Sequence, residues 1–182
     1  MDKLLLTLST SCEYLVPSTL RSASIRKQGV IPMSTTHQYM LKVAAILWVI
    51  WGLVHLLAGI IVLSSDTAGG FQAIADAVDP SALEADYHAA VGGVLNQHAW
   101  NLAWFGIATF IGALFIWRQN MTAIWVTAMV GGLADLGYFF FLDLPGHVHF
   151  VPGTLMTIVS ASAIVLSFIV WFSHRSTSPT TA

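Results

Sequence analysis

The chain has 182 residues, 56% of them hydrophobic and only 9% charged, with a formal net charge of -2, whereas an average soluble domain is roughly 25% charged. That balance excludes an ordinary soluble domain, and seven Lys and Arg scattered over many segments exclude a basic nucleic-acid interface. The single cysteine, Cys12, excludes an internal disulfide or a redox thiol pair.

Met1 to Pro32 is polar and irregular and stops just before a second methionine, Met33. Leu4, Leu5 and Leu6 give way to Thr7, Ser9 and Ser11, too short a run for the h-region of a signal peptide. An organellar transit peptide draws on Arg21, Arg26, Lys27 and the serines, with Asp2 and Glu13 against it. Residues 1–37 are expected to be a disordered extension or the product of a start assigned too early. Residues 38–174 should form one membrane bundle, and 175–182 a disordered tail.

Four apolar segments come next, at about Leu41 to Leu63, Leu95 to Trp117, Met121 to Leu142 and Phe150 to Phe172. Each is near the roughly 20 residues that a helix needs to cross a bilayer. The fold class expected is all-α: a polytopic, four-helix transmembrane bundle with a helical outer loop between spans one and two. Lys and Arg near span ends are retained on the cytoplasmic side. Arg21, Arg26, Lys27 and Lys42 precede span one, Arg118 occupies the turn between spans two and three, and Arg175 follows span four. The connection from Ser64 to Val94 carries Asp66, Asp76, Asp79, Glu84 and Asp86 with no basic residue. Both termini are therefore expected in the cytoplasm. Trp100, Trp104, Trp117, Trp125, Tyr138 and Trp171 fall near span ends, as interfacial aromatics do.

The long outer connection shows helical periodicity. Phe71, Ile74, Ala75 and Val78 recur at i, i+3, i+4 and i+7, a short helix with one apolar stripe that Asp79 and Pro80 break. Ser81 and Glu84 then have the spacing of a capping box, which predicts a second helix with Leu83, Tyr87 and Val91 on one face. Gly92 and Gly93 are expected to bend it into span two. The pieces either cover the bundle mouth as structure or act as a lid over a ligand.

His55 and Asp135 carry the functional expectation, because ionisable groups at membrane depth are expensive and face a protein-lined interior. Counting about 1.5 Å per residue from each outer end places His55, His98, Asn101 and Asp135 all in the outer half. Thr154, Thr157 and Ser160 form a hydroxyl stripe on span four, and Asp143, His147 and His149 hang over the same mouth. The inner half is apolar apart from hydroxyls such as Thr122, Thr127 and Ser167. A ligand pocket of His55, Asn101, Asp135 and Thr157 is the first expectation. A His oriented by an Asp equally suits a proton relay or a satisfied structural pair. A metal site of His55, His98 and Asp135, closed by His147 or His149, is the alternative. Haem is disfavoured, since the one pair of histidines in different spans, His55 and His98, lies at unequal depths. Gly52 and Gly59, with Gly106, Gly112, Gly131, Gly132 and Gly137, read as small-residue seams between helices. Pro145-Gly146 makes the last outer turn and Pro152-Gly153 bends the start of span four.

The run Trp51-Gly52-Leu53-Val54-His55-Leu56-Leu57-Ala58-Gly59, with three further spans closing on Phe150-Val151-Pro152-Gly153, resembles small four-span bacterial membrane proteins of the DoxX-like group. The likeness covers Met40 to Phe172 at the level of topology, with the acidic outer connection longer than that pattern. It implies a bundle in a bacterial inner membrane and transfers no catalytic residue. The function expected is a small-ligand-binding or cation-binding bundle or accessory subunit, in contact with the lipid bilayer. A metal-dependent membrane enzyme or oxidoreductase is the second expectation. A chain that only packs against membrane-protein partners, through faces such as Gly52 and Gly59, is the third. No cofactor is implied by these residues.

Overall fold

The computed structural model describes residues 33–176; the expectations for 1–32 and 177–182 lie outside the described residues. Four helices are long and apolar enough to cross a membrane: α1 (Thr35–Leu63), α3 (Ala89–Trp117), α4 (Met121–Asp143) and α5 (Phe150–Ser176). A short helix, α2 (Thr67–Ile74), and a 3-10 turn (Pro80–Glu84) lie between α1 and α3. No strand occurs among the described residues. The result is an all-α, multi-pass membrane bundle, with α1 reaching back to Thr35 and α5 on to Ser176.

Side-chain caps decide where the helices start. Ser34 accepts the backbone N–H of His37 at α1, Asp66 that of Gly69 at α2, His88 that of Ala90 at α3 and Asn120 that of Ala123 at α4. Each satisfies an N–H that the first turn leaves free. The capping box expected at Ser81 does not form. Asp79 takes the cap position instead, accepting the Ser81 N–H at 2.8 Å, and with Pro80 next the chain makes only a 3-10 turn. These hydrogen bonds from Ser81 hold the Asp79 carboxyl below the usual carboxylate range. The Tyr87 hydroxyl bonds back to the carbonyl of Ala82, and α3 restarts at Ala89, with Gly92 and Gly93 inside its first turns rather than at a bend. Helix α2 likewise stops at Ile74, before Val78.

In the bundle, α1 lies beside α3 and α5, and α4 also lies beside α3 and α5, so α1 and α4 are diagonal partners. The α1–α3 seam is the most extensive. It depends on small residues: a Cβ added to Gly106 would fall 2.4 Å from the Gly52 carbonyl oxygen, and one added to Gly59 would fall 2.6 Å from that of Ala99. Backbones in direct contact leave no room for even a methyl group. Two tryptophans of α1 bridge the diagonal. Trp48 and Trp51 are fully buried, pack edge to face with centroids 5.8 Å apart, and Trp48 presses on Gly131 of α4.

The packed core is one-sided. Leu41, Ala44, Ala45 and Trp48 of α1 meet Ala113 and Ile116, Ile124, and Ala163 and Val170 in the half nearest Thr35 and Ser176. Lys42 stacks over Trp117 and Arg175 over Trp171 at that terminal end. In the other half, α3 lies against α4 as far as Gly132, and beyond it a cavity lies between the two helices. Helix α4 is interrupted by π turns at Ala128–Gly132 and Phe139–Asp143, and α5 opens with a π turn at Phe150–Thr154 in which Val151 is non-helical. The structure thereby opens toward the end that carries α2.

The seam makes a direct prediction. Gly106→Ala should lower unfolding stability in detergent by about 1–3 kcal/mol, the usual range for overpacking, because both nearest atoms are backbone. Gly93→Ala, which meets nothing within 4 Å, should be neutral or stabilising by up to about 1 kcal/mol from helix propensity. Equal effects of the two in thermal unfolding would refute the close seam.

Candidate functional site

His55 and Asp135 meet across the diagonal, with Trp51 between them. Trp51 and His55 are four residues apart, on one face of α1, and their rings stack with centroids 3.6 Å apart and planes at 18°. The Trp51 indole N–H donates to Asp135 Oδ2 at 2.8 Å. One turn later, His55 Nδ1 lies 2.8 Å from the Trp51 carbonyl oxygen. A carbonyl only accepts, so Nδ1 carries hydrogen and, in the neutral ring, Nε2 presents a lone pair. That nitrogen faces Asp135 Oδ1 at 3.8 Å, beyond hydrogen-bond range. The hydroxyl of Ser160 also lies beside the Asp135 carboxylate, while its distance of 3.1 Å to the Thr157 carbonyl gives its one proton a second acceptor.

A neutral imidazole lone pair opposite a carboxylate oxygen is an incomplete arrangement. It is completed by a proton on the pair or by a donor lying between the two atoms. Asp135 is 4% exposed, and an ionised carboxylate at that depth demands compensation.

The pair opens into a cavity of about 80 Å³ on the bundle axis. One water needs roughly 10–15 Å³ by this kind of measure, so the space suits several waters or a compact polar head. Polar atoms come from His55, His98, Asp135 and Tyr138, whereas Val54, Ala58, Leu102 and Met156 make an apolar wall. Ala73 and Ile74 of α2 roof it. The roof is tied down: the Ala77 N–H donates to the His147 carbonyl at 3.1 Å, and the His149 N–H to Asp76 Oδ1 at 2.7 Å. A second cavity of about 300 Å³ shares His55, His98, Leu102, Asp135 and Tyr138 and continues past Phe105, Gly137 and Phe141 between α3 and α4.

The residues singled out from sequence divide clearly. His55, His98 and Asp135 come together at the cavities. Asn101 does not; its side chain accepts from Trp104 Nε1 at 3.2 Å on an exposed stretch of α3. Thr157 is absent from both cavity walls, and its hydroxyl is buried without a hydrogen-bond partner among the described residues. Asp143 accepts from Thr154 at 2.7 Å near the mouth. Among the described residues no three His, Cys, Asp or Glu side chains group as a metal ion requires. His55, His98 and Asp135 share the cavity walls without forming such a group. Sequence reading missed Trp51, which orients Asp135, and treated Tyr138 as an interfacial aromatic. The spacing of Trp51 and His55 was the available signal for the first, and nothing marked Tyr138 as inward-facing. Comparison of the chain with protein-family models, curated proteins and solved structures gives no match.

Because Trp51 and Asp135 share one buried bond, their substitutions should be coupled. Trp51→Phe strands a buried carboxylate oxygen and should cost about 1–3 kcal/mol, and much less in an Asp135→Leu background. Strictly additive losses across the four-protein cycle, measured by unfolding in detergent, would argue against the bond.

Proposed function

We propose that this protein is a multi-pass membrane protein that binds a small ligand in the axial cavity, with the His55–Asp135 pair as its polar anchor. The observation that carries this reading is the unfilled geometry of that pair: two hydrogen-bonding atoms 3.8 Å apart, each fixed from behind by Trp51, facing a cavity with mostly apolar walls. A pair serving structure alone closes on itself. Here Trp51 holds the two atoms apart, as a binding site requires its groups to be held before the ligand arrives. His98 and Tyr138 add polar contacts on the far walls, and the fastened α2 roof shields the cavity. The wall composition favours a ligand with an apolar body and one polar group.

The same reading places the chain in a bacterial inner membrane with both ends of the bundle in the cytoplasm. Lys42, Arg118 and Arg175 gather at the terminal end, whereas the α2 end holds acidic residues without Lys or Arg. The cavity then faces outward. A cysteine introduced at Ala85 should react with an impermeant maleimide added to intact cells, and one at Asn120 only after lysis; the reverse pattern would invert the topology.

Ligand binding is checked by thermal unfolding of the purified full chain against decylamine, decanol, decanoate and decanal. A binder present at 100 times its Kd should stabilise the protein by about 2.7 kcal/mol. Ala58→Leu, which fills the axial cavity, should remove that gain. If none of the four stabilises the chain, or if Ala58→Leu responds like the unaltered protein, the cavity is not a binding site.

A further inference from the structure

We infer that the ligand is a lipid-soluble primary amine, bound as its ammonium cation, which reaches Asp135 sideways from the bilayer through the slot between α3 and α4. This rests on the ligand-binding reading above and adds the charge, the donor pattern and the route.

The charge comes first. Asp135 is the one acidic side chain in the walls of these two cavities, and Lys and Arg are absent from residues 43–117 and 119–174. No fixed positive charge of the bundle therefore lies near it. The rim repeats the sign, with Asp76 beside the roof and Asp143 at the end of α4. A cleft lined by one sign of charge and low-dielectric walls concentrates counter-ions of the other sign. His98 shares these walls but does not group with the pair as a metal ligand among the described residues, and a mostly apolar wall is not the oxygen-rich cage of a metal cation.

The donor pattern narrows the class. His55 Nε2, with Nδ1 already committed to Trp51, and Asp135 Oδ1 are both acceptors. Their 3.8 Å separation lets one nitrogen lie within hydrogen-bond distance of both, spending two of the three N–H groups of an ammonium. A hydroxyl has one proton and leaves one acceptor unanswered, and a carboxylate has none.

The route is set by the helices. Beyond Gly132, the cavity of about 300 Å³ between α3 and α4 runs from the pair past Phe105 and Gly137 to Phe141. Phe141, at the slot's edge two residues before the end of α4, is 77% exposed. Ala73 and Ile74 of α2 cover part of the axial cavity, and the segment after α2 is held in place by two hydrogen bonds. An alkyl chain can therefore stay in or beside the bilayer while its head occupies the axial cavity.

The test uses the full chain in nanodiscs of zwitterionic phosphatidylcholine, with radiolabelled decylamine and decanol at equal mole fraction in the lipid and empty discs subtracted. Decylamine is expected to bind saturably, one per chain, at least tenfold more tightly than decanol. Asp135→Asn should reduce it to the decanol level. Gly137→Leu, whose first side-chain atom meets nothing within 4 Å, should leave thermal stability unchanged and slow exchange of decylamine at least tenfold by obstructing the slot. Amine and alcohol bound equally, with both lost in Ala58→Leu, would overturn the cation while keeping the pocket. A retained amine preference in a folded Asp135→Asn protein would do the same. Unchanged exchange in Gly137→Leu would overturn the lateral route, and no saturable binding of either compound would remove both this inference and the reading beneath it.

Discussion

A carboxylate inside a membrane bundle has to be answered from within the bundle, and the answer here is the indole of Trp51, 2.8 Å from Asp135. That one hydrogen bond joins the diagonal helices α1 and α4, which otherwise meet only through bulky side chains. It turns the Asp135 carboxylate so that its second oxygen faces His55, and the Trp51 carbonyl fixes the imidazole in turn. One residue therefore sets the position of the acid and the tautomer of the base. At membrane depth an unanswered carboxylate is expensive, and here the bundle itself supplies the donor that answers it.

The two ends of the bundle are built on different physics. Near the termini, Leu41, Ala44, Ala45, Ile116, Ile124 and Val170 close the interior by packing alone. Small residues let α1 and α3 touch backbone to backbone, and that contact holds the pair rigid. At the other end α1 and α3 stay in contact at Gly59 and Ala99, while a cavity lies between α3 and α4, whose helix carries two π turns. A π turn inserts an extra residue and rotates the helix beyond it by about 100° relative to a regular continuation. The segment bearing Asp135 and Tyr138 lies between two such turns, so its facing is a product of irregular backbone. The packed half of the bundle thus lies beneath the half that holds the cavity.

Much of this architecture was legible in the residues. The span limits at Leu63, Trp117, Met121 and Phe150 came from apolar runs and their breaks, since burial in lipid demands length and little else. Depth counting put His55, His98, Asn101 and Asp135 in the outer half, because helices of fixed rise place residues at calculable heights, but it did not say which of them would meet. The same counting failed for Asn101 and Thr157. Height says nothing about rotation, and Asn101 turns outward to Trp104. Local competition defeated the expected second loop helix: Asp79 captured the N–H of Ser81, two positions away, before a capping box at Ser81 could form. Residues that share a wall need not converge on a point, and among the described residues His55, His98 and Asp135 do not group as metal ligands.

Composition and the spacing of apolar, basic and small residues determined by themselves that the chain is a four-span bundle with its polar interior at one end. Those properties depend on transfer into lipid and on helix length, both additive along the chain. Tertiary structure alone decided that Trp51 would hold Asp135, that His55 would stop 3.8 Å short of it, and that α3 and α4 would leave a cavity between them. These depend on helix rotation, backbone irregularity and the meeting of residues 84 positions apart, which no local pattern in the sequence specifies.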